Sequence, residues 1–126
     1  MTSPIAPPAS FSSALTFVST AQGVAAHAIA APLTHTTYDN LTRGIQIAQA
    51  GADELEVLGS LNARAGDALA FALDGVRELN AARDASIEEI VFAAAEKNVK
   101  EHAQSAFNHF EGALEILNNL VADEKA

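Results

Sequence analysis

The sequence predicts an all-α fold of long amphipathic antiparallel helices, a helical hairpin or three-helix bundle, in an oligomer. Three observations carry this. Apolar residues recur at the 3.5–3.6-residue period of an amphipathic helix over most of the chain beyond residue 38. The period-2 alternation of a half-buried strand is absent. Ala is the commonest apolar residue, and six Phe, one Tyr and no Trp make a thin aromatic supply. Each helix therefore buries little area per residue and must be long to be stable.

Residues 1–9 carry Pro4, Pro7 and Pro8. Proline lacks the backbone donor a helix needs, so a flexible arm is expected there. Residues 10–37 form an uncharged Ala/Ser/Thr-rich segment; all 23 charged side chains lie from Asp39 onward. Ser10 is placed to cap a helix that runs to about Ala31, where Pro32 stops it. Thr34–Thr37 reads as a linker. No positive n-region precedes this segment, so it is not read as a signal peptide. Seven of the 21 residues from Phe11 to Ala31 are Ser, Thr, Gln or His. That is too polar for a span of roughly 20 apolar residues, and no transmembrane segment is expected.

Residues 38–126 read as an amphipathic helical domain with a break near 84–86. Leu41, Ile45, Ala48, Ala52 and Leu55 step by 4, 3, 4 and 3. Leu58, Leu61, Ala65, Leu69, Ala72, Val76 and Leu79 continue on a slightly rotated face. Asp39 is the expected N-cap and Arg83 suits the negative C-terminal end. Ser86-Ile-Glu-Glu89 matches a capping box that opens a further helix from Ile87 to about Ala122. Its stripe is Phe92, Val99, Ala103, Ala106, Phe110, Ala113, Leu117 and Leu120. Phe107, Leu114 and Val121 widen it beyond a two-residue coiled-coil seam.

Gly44, Gly51, Gly59, Gly66 and Gly75 punctuate the second helix at intervals of 7, 8, 7 and 9. Each costs about 1 kcal/mol relative to Ala in a helix interior. Either they permit close helix–helix approach, or the helix completes itself on a partner or surface. An unbroken helix of about 45 residues would extend about 65 Å. A compact domain of this size has a radius of gyration near 14 Å. The chain must therefore oligomerise, coat a surface, or break at its glycines.

The chemistry is negative in outline. A net charge of −9 argues against a nucleic-acid binder, because few cations are present to neutralise phosphates. The absence of Cys excludes disulfides, thiol nucleophiles and Cys-type zinc sites, and fits a reducing compartment. His27, His35, His102 and His109 form no i, i+3 or i, i+4 pair and no Glu-x-x-His motif, so no metal is expected. The carboxylate runs at Asp53-Glu54-x-Glu56, Glu88-Glu89 and Glu111/Glu115 sit on solvated faces and serve solubility. Phosphate-binding glycine loops and nucleophile elbows are missing. No enzyme activity and no cofactor are expected.

Five stretches carry a family resemblance. Asn62-Ala-Arg-Ala-Gly-Asp-Ala-Leu-Ala70 leads into Val76-Arg-Glu-Leu-Asn-Ala-Ala-Arg-Asp84. Ser86-Ile-Glu-Glu-Ile90, Glu101-His-Ala-Gln-Ser-Ala-Phe107 and Glu111-Gly-Ala-Leu-Glu115 follow. Across Gly44–Leu117 the chain resembles the phasins, small helical bacterial proteins that coat polyhydroxyalkanoate storage granules. The resemblance implies a non-catalytic, cytoplasmic coat on a hydrophobic polyester surface, with Leu55, Leu58, Leu61, Leu69, Phe107, Phe110 and Leu114 as the contact residues. The uncharged Phe11–Ala31 segment is a second candidate contact. The alternative is a self-assembling helical scaffold or interaction module, a homo-oligomer that consumes the same stripes.

Overall fold

The computed structural model describes residues 10–88 and 91–125. The expected 1–9 arm lies outside them. Among the described residues every regular element is helical. These are α1 (Phe11–Ala30), α2 (Thr37–Gly59), α3 (Ala63–Glu88) and α4 (Phe92–Lys125).

α1 begins as its sequence demands. The Ser10 hydroxyl accepts the Ser13 N–H at 3.0 Å, satisfying one of the unpaired donors of the first turn. Ala14, Val18, Ala21 and Ala25 are its buried row. Ala31 is already extended, and Pro32 follows it. A threonine knot then turns the chain. Thr34 N–H donates to Thr37 Oγ1 at 2.9 Å, and the Thr34 and Thr36 hydroxyls are 2.8 Å apart.

α2 starts at Thr37, with Thr36 in the N-cap position. Asp39 is inside the first turn, not the cap; there its charge still meets the positive end of the helix dipole. The expected 39–83 helix is broken at Ser60–Asn62. Ser60 Oγ donates back to the Val57 carbonyl at 2.7 Å. The Asn62 side-chain oxygen accepts the N–H groups of Arg64 and Ala65 at 2.9 and 3.4 Å. Asn62 thereby caps α3, and the end of one helix and the start of the next are separately satisfied.

The expected break near 84–86 is not there. α3 continues through it to Glu88. Ala82 is buried and Ala85 packs on the core, so the apolar stripe does not lapse at these positions. Ser86 is helical and its hydroxyl bonds to the Arg83 carbonyl, so it does not cap a new helix. Glu89, the other half of the expected capping box, lies outside the described residues. α4 begins at Phe92, five residues later than Ile87.

The four helices close a ring. α1 packs on α2 and α4, and α3 packs on α2 and α4. Neighbours run in opposite senses. Ser13 near the start of α1 bonds Glu54 near the end of α2, while Val24 late in α1 meets Gly44 early in α2. Arg64 at the start of α3 meets Asp123 at the end of α4. The core is narrow and dry. Ala supplies 13 of the 23 buried apolar residues, and no described polar or charged residue is buried. Phe110, Leu41, Leu55, Leu79, Leu117 and Val18 are the largest wholly enclosed side chains.

Breaking at Ser60–Asn62 resolves the length problem within one chain. Each half of the long stripe turns back on the other, and the uncharged α1 joins the same core rather than standing apart as a separate 10–37 segment.

Candidate functional site

The glycines decide how closely the helices approach. A Cβ on Gly44 would meet Val24 Cγ1 of α1 at 2.6 Å, and one on Gly51 would meet Phe17 Cβ at 3.0 Å and Val18 Cγ2 at 3.3 Å. A Cβ on Gly75 of α3 would enter the Phe110 ring of α4. One on Gly112 of α4 would meet the Phe71 ring of α3 at 2.8 Å. These four positions are sockets for side chains of the facing helix. Gly59 and Gly66 bring two backbones together at the α2–α3 turn, where a Gly59 Cβ would lie 3.5 Å from Gly66 Cα. Close approach is therefore the role of most of the row. Gly112 completes the pattern, and its significance was not visible from the row in the second helix.

The seven surface candidates separate into three groups. Leu55 and Phe110 are fully buried and Leu114 nearly so. Leu58, Leu69 and Phe107 are partly buried against the core. Leu61 is 85% exposed on the turn between α2 and α3. In the closed bundle six of the seven are thus engaged by other helices, and only Leu61 projects freely. Phe92, expected in the α4 stripe, is 60% exposed.

Among the described residues the most exposed large apolar side chains lie at the two ends, with Phe71 and Leu73 about 40% exposed midway along α3. Ile87, Val91 and Phe92 flank the α3–α4 connection; Val57 and Leu61 flank the α2–α3 turn. Sequence periodicity does not single these out, because stripe counting assigns Leu61 and Phe92 to the buried face.

The α1–α4 seam has a different character. Among the described residues no glycine receives a side chain across it. The seam is joined instead by polar groups at its margin. Lys100 Nζ donates to the carbonyls of Ile29 and Ala31 at 2.7 and 2.8 Å, a cation on the electron-rich end of α1. Glu96 accepts the Leu33 N–H at 3.0 Å. Gln22 Nε2 donates to Glu111 Oε2 at 2.5 Å and reaches the Phe107 carbonyl at 3.4 Å. Beside Lys100 and Glu96 lies a cavity of about 230 Å³ walled by Val24, Ala28, Leu41 and Val99. Lys100 and Glu96 at its margin tie down the end of α1 and the linker.

The histidines on α4 face α3. His102 Nδ1 is 2.9 Å from Glu78 Oε2. His109 Nδ1 donates to the Ser105 carbonyl at 2.8 Å, and its Nε2 is 4.0 Å from Asp74. Among the described residues no group of three or more His, Asp or Glu is placed to hold a metal. Nor is any described helix long and apolar enough to cross a membrane.

Compared with known proteins, the chain matches no family model, no curated protein and no solved structure.

Proposed function

We propose that this protein is a non-catalytic, phasin-like coat on a hydrophobic polyester granule in the bacterial cytoplasm, and that it binds by turning its helix stripes from its own core onto the granule. The observation that carries the reading is the make-up of the core: among the described residues, 13 Ala among 23 buried apolar residues and no polar or charged residue enclosed. A dry core of small side chains has modest packing to lose. Transferred to an apolar surface, the same stripes stay out of water, at about 25 cal/mol per Å² on each face covered. The acidic outer faces then give like-charge repulsion between coated particles. Of the candidate contact residues Leu61 is available before opening, and Leu55, Leu58, Leu69, Phe107, Phe110 and Leu114 reach the granule only as far as their helices part.

Self-assembly as a homo-oligomeric scaffold is the second reading. The exposed Ile87, Val91 and Phe92 at one end of the bundle favour it.

One experiment separates them. The purified protein is incubated with polyester nanoparticles and sedimented, with light scattering on the free protein. The coat reading expects particle-bound protein that keeps its helical circular dichroism. A tight oligomer that stays in the supernatant contradicts it and supports the scaffold.

A further inference from the structure

The four helix interfaces are not equivalent, and their differences mark one as the place where the bundle parts. The α1–α2 pair is held by side chains of α1 seated over Gly44 and Gly51. The α3–α4 pair is held by Phe110 over Gly75 and Phe71 over Gly112. The α2–α3 pair is pinned at both ends. Gly59 and Gly66 make the close approach beside the covalent turn at one end. At the other, Arg83 stacks 5.6 Å over the Tyr38 ring. The α1–α4 pair has no socket and no covalent link. It has Lys100, Glu96 and Gln22 at its margin.

We infer that the bundle opens like a book, with α2–α3 as the spine and α1–α4 as the fore-edge. The interaction surface it presents is the inner faces of α1 and α4, and the partner is an extended apolar surface. This rests on the coat reading and names the surface that reading requires. Interdigitated sockets resist separation because each seated side chain must withdraw from a fitted space. Marginal hydrogen bonds do not, since water replaces each partner as the seam parts. Parting α1 from α4 uncovers the core residues that these two helices bury against each other, while Val18 stays against Gly51 in the α1–α2 hairpin. Both hairpins stay intact.

The chain has no Cys, so an introduced pair is its only pair of thiols. Gln22→Cys with Glu111→Cys, joined by a short bis-thiosulfonate linker, locks the fore-edge. Leu33→Cys with Glu96→Cys is a second lock on the same seam. Ser13→Cys with Glu54→Cys, and Arg64→Cys with Asp123→Cys, lock the two hairpins instead. Each variant is assayed on polyester nanoparticles bridged and reduced, the reduced form reporting any damage from substitution. Expected is a loss of adsorption of about tenfold or more on bridging either fore-edge pair, with no change on bridging the hairpin pairs. Unhindered adsorption of the fore-edge-bridged protein overturns the inference while leaving the coat reading standing. So does equal inhibition by the hairpin bridges. Failure of the wild type to adsorb overturns the coat reading and this inference with it.

Discussion

The α3–α4 interface and the α1–α4 interface share α4, yet they are joined by opposite means. On one side Phe110 fills the space left by Gly75 and Phe71 the space left by Gly112. On the other, a lysine, a glutamate and a glutamine make hydrogen bonds across a face that is mostly Ala within. The first is shape-specific and tolerates little change. The second is permissive. A helix-interior glycine is a local cost, and here that cost is offset where a partner side chain occupies the socket. Where no partner does, as at Gly23, the local cost has no visible return.

The sharpest way to break the contrast is Phe110→Ala. The ring is fully buried, and its loss leaves both a cavity and an empty socket. Urea denaturation should show a loss of about 3–5 kcal/mol. Next is Gly75→Ala, whose methyl group collides with that ring. Overpacking outweighs the gain in helix propensity, for a net loss of about 1–2 kcal/mol. In the Phe110→Ala background the same substitution should turn neutral or stabilising, a coupling that a double-mutant cycle measures directly. Lys100→Met probes the permissive side. It removes two half-buried hydrogen bonds, should cost about 1 kcal/mol, and should raise the rate of adsorption to apolar particles. Smaller still, and opposite in sign, Gly23→Ala should stabilise by about 0.5–1 kcal/mol, because the added methyl meets nothing. At the foot of the scale, Arg64→Ala breaks an exposed ion pair with Asp123 and should shift stability by less than about 0.5 kcal/mol.

The all-helical class was legible because period 3.6 repeats over long stretches with no competing period. The Ser10 cap and the stop at Pro32 were legible because both act within a few residues. The count of helices was not. Gly59-Ser-Leu-Asn62 carries the signal, a glycine as the last residue of one helix and an asparagine cap before the next. Apolar spacing runs on through Leu58, Leu61 and Ala65, so periodicity alone hides the turn. The capping-box pattern at Ser86–Glu89 pointed the other way. Its local preference yields to burial, since Ala82 and Ala85 keep α3 on the core. Of the surface candidates, Leu61 differs most from its stripe, because the same turn that ends α2 lifts it off the core. What spacing could not supply is which helix faces which. The Gly75–Phe110 and Gly112–Phe71 pairs exist only once α3 and α4 are side by side.

The most direct test of the account is a pair of distances measured by dipolar spectroscopy, on the free protein and on polyester nanoparticles. Spin labels at the exposed positions Ser19 and Asn108 span the α1–α4 seam. Labels at Arg77 and Asn108 span the socketed α3–α4 pair. The account predicts that the first distance lengthens on adsorption and the second does not change. A first distance that stays fixed on bound protein, or a second that lengthens with it, contradicts it.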